Sequence, residues 1–242
     1  MSVGKIRGIV LKEQQSGESS KYMVVLAKGA GKLRLNARGA KKAKSPLLAG
    51  TQLFSYSDFT VYAGRGFGTV TQADLIENFY GLRNDVAVLS QAVYLTELVE
   101  RVCPDDMEQD SILRLLLTTL QLLAKGKVEP LLAGRIFEIK LLQLSGLLGT
   151  LDCDVCGAPA SAFSPAQACF VCAKHTTKSD FVLSEALSAA LMHVLEKEGT
   201  EIFSFRLSPK TYTELDRLLH RYLQVHTGLD LQSRRFAADI CF

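Results

Sequence analysis

The hydrophobic pattern of the chain changes its period once, near residue 80, and this change limits the folds that the chain can adopt. Before it, apolar and polar residues alternate in five short segments with glycine-rich connections, at about residues 5–12, 21–28, 32–39, 51–63 and 67–76. Alternation of period 2 indicates β-strands, and five short strands at close spacing predict a small closed or nearly closed barrel.

After residue 80 the apolar residues recur every three to four positions, as in amphipathic helices. Asp110 is a predicted helix cap, as are Ser184 and Ser208, and Pro130 and Pro209 suit first helical turns. The predicted helices span about residues 86–102, 111–126, 130–146, 185–199 and 209–228. We therefore expect an α+β protein with a barrel over residues 1–80 and a helical domain over 81–242, interrupted by a separate module at 150–178.

Four of the six cysteines lie in that module as two CxxC pairs, with the spacing C-x2-C-x12-C-x2-C. Each CxxC turn brings two thiolates to one ion, and zinc prefers four tetrahedral ligands of this kind. The pattern predicts one structural zinc ion per chain. Because four protein ligands leave no open position for water, the site is expected to support folding and not catalysis. The predicted ligands are Cys153, Cys156, Cys169 and Cys172.

Two alternatives remain open for this segment. His175 follows Cys172 by three residues and could replace one cysteine as a ligand. A CxxC pair could also exchange a disulfide, although no strand-helix-strand pattern surrounds the pairs. Cys103 and Cys241 are isolated and are expected to be small buried side chains.

Positive charge is concentrated in the amino-terminal part of the chain. Residues 1–80 contain 12 Lys and Arg against 5 Asp and Glu, whereas the remainder contains 16 against 20. This asymmetry indicates that the amino-terminal part meets a polyanion. Its densest stretch has seven cations and no anion, namely Lys28, Lys32, Arg34, Arg38, Lys41, Lys42 and Lys44.

The phase of the third strand assigns these cations to one face. Leu33, Leu35 and Ala37 are predicted to face the core, so Lys32, Arg34 and Arg38 face outward and continue into the following lysine loop. Small barrels bind oligonucleotides on strands 2 and 3 and on nearby loops. In the loop before the fifth strand, Arg65 adds a cation, and Phe67 is either a base-stacking ring or a core residue. The simpler alternative is a solvated barrel edge.

The sequence has no GxSxG motif of serine hydrolases, no HExxH motif of metallopeptidases and no Walker phosphate loop of nucleotide hydrolases. We therefore expect no enzymatic activity. The amino terminus lacks a signal-peptide apolar region, and no segment approaches the roughly 18 apolar residues of a membrane span. We expect a cytoplasmic protein.

The basic segment 17–59, the helical middle, the cysteine pairs at 153–172 and the LQSRRF sequence at 231–236 together resemble the RecO family of bacterial recombination mediators. The resemblance covers nearly the whole chain. It implies an amino-terminal OB-fold, a helical domain with an inserted zinc module, and no catalysis. It also implies binding of single- and double-stranded DNA at the nucleoid, annealing of complementary strands, partnership with RecR and often with single-strand-binding protein (SSB), and indirect help in loading RecA.

The DNA contacts implied by this resemblance and by the strand phase are Lys32, Arg34, Arg38, Lys41, Lys42 and Lys44, with Arg65 nearby. Arg234 and Arg235 either extend the cationic surface or solvate a tail that docks through Phe236. Two other classes share these features. One is an RNA-binding accessory factor of transcription or translation with a zinc ribbon, and the other is an interaction scaffold that uses its acidic helical half.

Overall fold

Five strands form a closed barrel at the amino-terminal end of the chain, in agreement with the alternation pattern. The computed structural model describes residues 3–62 and 67–240. The strand order around the barrel is β1-β2-β3-β5-β4. All neighbouring pairs are antiparallel except β3 and β5, which pair in parallel at Leu35 with Gly68 and at Asn36 with Thr69. The strands are β1 (Val3–Ser16), β2 (Ser20–Ala27), β3 (Gly31–Ala37), β4 (Tyr56–Tyr62) and β5 (Gly68–Glu77).

The long strand β1 closes the barrel because it pairs with two different neighbours. Gly8 pairs with Ala27 of β2 and also with Ser57 of β4. A Cβ at Gly8 would lie 2.6 Å from the carbonyl oxygen of Leu26, so only glycine allows this approach. An irregular register follows between Val10 and Lys12, where the strand bends.

Alternate residues of these strands fill the barrel. The core includes Met23 and Val25 of β2, Leu35 and Ala37 of β3, and Phe59 of β4, each nearly or fully buried. Burial of apolar area at about 25 cal/mol per Å² makes this cluster the main stabilising contribution to the barrel. The predicted inward phase of Leu35 and Ala37 is confirmed.

Two helices complete a first compact unit, Met1–Lys127. They are α1 (Val86–Val102) and α2 (Asp110–Ala124). Asp85 caps α1 by accepting from the backbone N–H groups of Ala87 and Val88. Asp110 does not cap α2 as predicted, because it is the first helical residue and its carboxylate accepts from the backbone N–H of Gly29 at 2.7 Å.

The loop between α1 and α2 lies directly against β3. The backbone N–H of Asp106 donates to the carbonyl oxygen of Lys32 at 3.3 Å. Gly31 has φ +72°, and a Cβ there would lie 2.0 Å from the carbonyl oxygen of Met107. The β2–β3 turn therefore requires glycine both for its backbone angle and for this close approach.

In the second compact unit, Val128–Phe242, the residues described up to Ile240 form four α-helices. Pro130 occupies the first turn of the first of them, and Ser184 and Ser208 accept from the backbone N–H groups of Leu187 and Thr211 as the predicted caps. The last helix was not expected from the sequence. The helices are α3 (Pro130–Leu144), α4 (Glu185–Glu196), α5 (Pro209–Thr227) and α6 (Gln232–Ile240).

A small antiparallel sheet lies between α3 and α4 in the chain. Its strands are β6 (Ala162–Ser164), β7 (Cys169–Val171) and β8 (Phe181–Val182), in the order β7-β6-β8. The ring of Phe163 lies 4.9 Å from that of Tyr222 on α5, and the Tyr222 hydroxyl donates to the carbonyl oxygen of Leu147 at 2.8 Å. The ring contact holds the sheet against α5, and the hydrogen bond joins α5 to the segment after α3.

A buried ionic network attaches α6 to the rest of the second unit. Arg234 donates to Glu138 on α3 at 3.2 Å and to Asp216 on α5 at 2.9 Å, and Arg135 pairs with the same two carboxylates. Arg135 and Glu138 are fully buried, and Arg234 is 8% exposed. Both sequence expectations for Arg234 were wrong, because its guanidinium is an internal ion-pair partner, whereas Phe236 is 58% exposed.

The change from strands to helices and the boundary between compact units fall at different places. The sequence predicts domains over residues 1–80 and 81–242, whereas the compact units divide after Lys127 because α1 and α2 contact the barrel. No helix among residues 3–62 and 67–240 is long and apolar enough to cross a membrane.

Candidate nucleic-acid interface and metal centre

Five exposed cations follow one another along the end of β3 and the loop after it. Arg34 projects from the strand, Arg38 follows its last residue, and Lys41, Lys42 and Lys44 lie in the loop. All five were predicted DNA contacts. We call these five residues the basic surface.

The loop that carries the lysines has a defined structure. Successive turns are closed by hydrogen bonds from the Lys42 N–H to the Gly39 oxygen and from the Ser45 N–H to the Lys42 oxygen, at 3.2 and 2.9 Å. Ala40 and Leu47, at either end of the lysine stretch, are buried in the barrel core. The lysines are therefore displayed from a fixed backbone, which lowers the entropy cost of using them together.

Three of these cations converge on one cavity. Arg38, Lys42 and Lys44 line an open depression of about 380 Å³, together with Pro46 and Thr71 of β5. Such an arrangement favours a multivalent anion, because several donors and positive charges face the same volume.

A second cleft, of about 500 Å³, lies beside the first strands. Lys41 lines it and donates to Gln15 at 2.7 Å, and Lys21 and Arg83 also line it. Lys21 is nearly buried and is paired with Glu13 at 2.6 Å. Lys21 and Arg83 were not predicted from the sequence, because each is separated along the chain from the dense lysine stretch.

Lys32 is not part of the exposed set, which corrects its predicted outward position. It is only 8% exposed, and its Nζ donates to the carbonyl oxygens of Glu100 and Cys103 at 2.7 and 2.6 Å. Its Nζ also lies 3.1 Å from an Asp105 carboxylate oxygen. The strand phase is as predicted, but the loop between α1 and α2 covers this position.

Asp105 also reaches the next cation of the strand. Its carboxylate lies 3.3 Å from Arg34 Nη2, while the Arg34 side chain stays 55% exposed. The hydrogen bond from Lys32, more than the charge of Arg34, holds the pKa of Asp105 below its usual value. Arg34 therefore remains accessible to a phosphate, but a phosphate must compete with Asp105 for it.

Phe67 is at the surface and not in the core. It is 51% exposed, and its ring lies 5.6 Å from that of Tyr22, edge to face. Arg65, the other predicted contact of this loop, lies outside the described residues.

The candidate metal centre consists of three cysteines and one histidine. The donor atoms of Cys153, Cys156, Cys172 and His175 all lie within 4.8 Å of one another. Each half of the centre is a tight turn. The N–H of Cys156 bonds to the oxygen of Cys153, and the N–H of His175 bonds to the oxygen of Cys172. The centre is thus built from one CxxC turn and one CxxH turn.

Three distances among these donors match those around a tetrahedral ion. The sulfurs of Cys156 and Cys172 are 3.7 Å apart, and His175 Nδ1 lies 3.4 Å from the sulfurs of Cys153 and Cys172. Zinc bonds of about 2.3 Å to sulfur and 2.0 Å to nitrogen, at tetrahedral angles, place neighbouring donors about 3.5 to 3.8 Å apart. Sulfur and imidazole donors in this geometry are those that zinc prefers.

Cys169 is not in the cluster, so the predicted ligand set differs by one residue. Its thiol lies 3.8 Å from Gln167 Oε1, at the start of β7. Cys172 follows that strand and enters the turn that ends at His175, so the second ligand pair is Cys172 with His175. The two pairs are then separated by 15 residues, within the usual range for zinc sites of this type, whereas the CxxC interpretation gives 12.

The thiols also differ in acidity. Burial opposes ionisation of Cys153, but hydrogen bonds from backbone N–H groups, including that of Cys172, and from His175 lower its pKa to about 6. Burial and the nearby Asp154 carboxylate raise the pKa of Cys169. The lowered pKa of Cys153 suits a thiolate ligand. The raised pKa does not set Cys169 apart, because the neighbouring thiols of Cys153 and Cys172 also raise the pKa of Cys156, and it is the position of Cys169 that leaves it out of the cluster.

The fold around the cysteines argues against the alternative that a CxxC pair exchanges a disulfide. The pairs β6–β7 and β6–β8 of the small sheet are antiparallel, and no helix connects its strands within Ala162–Val182. The strand-helix frame of a thioredoxin-like disulfide exchanger is therefore not present around these cysteines.

Comparison with known proteins covers almost the whole chain. Residues 1–79 match the family model described as recombination protein O N terminal, and residues 83–235 match the one described as recombination protein O C terminal. The two models meet near the change of hydrophobic period.

Curated relatives named DNA repair protein RecO match over similar lengths. The protein of Alkaliphilus metalliredigens is 37% identical over 228 residues, covering 92% of this chain and 93% of its own length. That of Acetivibrio thermocellus is 34% identical over 230 residues, covering 93% and 92%, and that of Halalkalibacterium halodurans is 33% identical over 242 residues, covering 96% and 93%. With both family models matched in order and relatives of this identity along its length, the chain belongs to the RecO family of DNA repair proteins.

Proposed function

We propose that this protein binds single- and double-stranded DNA through the phosphate backbone, using the basic surface of the barrel. The observation that carries the proposal is the convergence of Arg38, Lys42 and Lys44 on one cavity, in a loop held by buried Ala40 and Leu47. Lysine and arginine side chains presented in this way contact phosphates before base edges, so binding is expected to be independent of sequence.

Such a surface also suits the annealing of complementary strands. Two strands repel each other through their phosphates, and cations that contact both backbones lower this repulsion and release counterions. Base pairing then proceeds without a covalent step, so the proposed activity requires no catalytic group.

In the cell, we expect this activity to serve DNA repair and homologous recombination. The proposed partners are RecR, SSB on single-stranded DNA and, indirectly, RecA, which the protein helps to load. Family membership supports this part of the proposal, and it gives no support to the alternative of an RNA-binding factor in transcription or translation.

The metal centre is proposed to hold one structural zinc ion. Cys153, Cys156, Cys172 and His175 provide four protein donors, so no position is left for a substrate. Its role is to fix the two turns of a module whose three strands are only two or three residues long.

Charge reversal tests the DNA-binding proposal. The triple variant Arg38→Glu, Lys41→Glu and Lys42→Glu is expected to weaken binding to single strands and duplexes of any sequence by at least tenfold at low salt. A matched variant, Arg114→Glu, Lys125→Glu and Lys127→Glu, makes the same charge change at exposed positions on and after α2. It should retain most of the affinity, and equal losses in the two variants would assign binding to net charge alone.

A further inference from the structure

Two exposed aromatic rings, those of Tyr22 and Phe67, lie together on the outer face of the barrel. The inference drawn from them rests on the proposed DNA binding. We propose that Tyr22 and Phe67 form a stacking platform for unpaired bases, so that this part of the barrel selects single-stranded over double-stranded DNA. The basic surface and the ring pair then have separate tasks, one for phosphates and one for bases.

Exposure and geometry are the first argument. Tyr22 is 41% and Phe67 51% exposed, although large aromatic side chains are usually buried in a protein with enough core to cover them. Their rings are 5.6 Å apart at an interplanar angle of 64°. Each ring stabilises the position of the other, and each keeps a surface free for a further ring.

The place of the pair in the barrel is the second argument. The rings line a cleft of about 240 Å³ on the outer face of the first three strands, with Lys12, Val24 and Arg34 beside them. In the strand register, Val24 pairs with Lys12 on one side and with Arg34 on the other. A row with a cation at each end therefore lies next to the row that contains Tyr22, about 6.6 Å away along the strand.

Charge complementarity identifies nucleic acid as the occupant. Glu100 also lines the cleft, but its carboxylate lies within 4 Å of Lys12 and Arg101. Asp105 is paired with Lys32 and Arg34. Two cations, Lys12 and Arg34, line the cleft with one carboxylate, that of Glu100. Arg34 also links the cleft along β3 to Arg38 and the lysine loop. An apolar cleft with positive margins fits a strand that offers both base rings and phosphates.

A duplex cannot use this platform in the same way. Its bases are stacked on one another and paired, so their flat faces are not available without unpairing. The rings therefore add affinity for single strands, while the basic surface serves both forms of DNA.

The test compares thymidine oligonucleotides with oligonucleotides of the same length and charge that lack bases. For Tyr22→Ala and Phe67→Ala, affinity for the thymidine strand is expected to fall roughly 5- to 150-fold, with no change for the abasic strand or for duplex. The slope of log affinity against log salt should stay unchanged, because the rings contact no phosphate.

Three further variants make the test specific. Tyr22→Phe keeps the ring and should bind as the parent does, whereas Tyr22→Leu keeps apolar area without a ring and should bind as weakly as Tyr22→Ala. Tyr80→Ala removes an aromatic ring that is 67% exposed elsewhere in the same unit and should have no effect. Unchanged melting temperatures would confirm that all variants fold.

A reporter gives a second measurement. The chain contains no tryptophan, so Phe67→Trp introduces a single one at the platform. Its emission should be quenched by the thymidine strand and not by the abasic strand.

The platform would be overturned by an equal loss of affinity for thymidine, abasic and duplex DNA, or by no loss at all. The proposed function would still stand if charge reversal of the basic surface weakens binding at least tenfold. If the parent protein binds none of these DNAs, the proposed function fails as well. Wild-type behaviour of Tyr22→Leu would mean that the cleft accepts an apolar partner of another kind, which also contradicts the proposal.

Discussion

Lys32 and Arg34 lie two residues apart on one strand, yet their environments differ completely. Alternation along β3 correctly predicts that both point away from the barrel core. It does not reveal that the loop after α1, about 70 residues later in the chain, covers Lys32. A period-2 pattern reports which side of a strand a residue occupies, and only the tertiary structure shows what lies over that side.

Removal of the Lys32 ammonium is expected to affect stability and not DNA affinity. Lys32→Ala leaves the carbonyl oxygens of Glu100 and Cys103 without this donor, which costs about 1 to 3 kcal/mol in the free energy of unfolding. Denaturant unfolding measures the loss. Lys42→Ala is the matched control and should show the reverse, with weaker DNA binding and a free energy of unfolding within about 0.5 kcal/mol of the parent.

The ion pair between Lys32 and Asp105 should make the stability of the protein depend on pH. The pKa of Asp105 is lowered in the folded state, chiefly by the Lys32 hydrogen bond, so this carboxylate contributes stability above its unfolded pKa of about 3.9. That contribution is lost as the pH falls through the lowered pKa. The stability difference between the parent and Asp105→Asn should therefore be present at neutral pH and shrink in acid, and a difference that grows in acid would contradict the assignment.

The metal ligands provide a direct residue-level test. Cys169→Ser is expected to retain one zinc ion per chain by elemental analysis, whereas Cys172→Ser or His175→Ala should lose it and partly unfold the module. His175→Cys preserves a four-donor set and should keep the metal. Loss of zinc in Cys169→Ser with retention in His175→Ala would restore the four-cysteine site.

At the scale of elements, sequence patterns predicted those with an apolar face. The five strands and the first five helices bury regular apolar positions, and their periods are visible in the sequence. The second ligand pair was harder to predict because Cys172 belongs to two overlapping patterns, CxxC and CxxH. Only the course of β7 and the turn after it shows which pattern is used.

Helix α6 was not predicted, because it lacks a regular apolar face. Its buried residues are Ala237 and Arg234, so the side chain that attaches it is charged and not apolar. A charged residue near the end of a chain suggests a solvated tail, and nothing local indicates that Glu138 and Asp216 surround this arginine.

Arg234 and Arg235 are neighbours in the chain but should contribute very differently to stability, because only Arg234 belongs to the buried ionic network. Arg234→Ala removes one partner from the buried carboxylate of Glu138, and the free energy of unfolding should fall by about 3 kcal/mol. Arg235 is mostly exposed and pairs with Asp230 at the surface, so Arg235→Ala should change it by less than about 0.5 kcal/mol. Thermal and denaturant unfolding of the two variants measures this contrast, and equal effects would contradict the buried role of Arg234.

For the whole molecule, the charge composition predicted which part of the chain carries the basic surface, whereas the change of hydrophobic period does not coincide with the division into compact units. The excess of positive charge before residue 80 matches the position of the basic surface on the barrel. The change of hydrophobic period marks where strands give way to helices. It does not mark the unit boundary, because the contacts of Gly31 with Met107 and of Lys32 with Glu100 and Cys103 join α1 and the following loop to the barrel.

The salt dependence of DNA affinity tests the central claim most directly. If the basic surface engages about five phosphates, the slope of log affinity against log salt should be near −3.5 for single strands and −4.5 for duplex. In the triple variant Arg38→Glu, Lys41→Glu and Lys42→Glu, each slope should fall to less than about half of these values. Affinity that is independent of salt, or slopes that the triple variant leaves unchanged, would contradict binding of DNA through this surface.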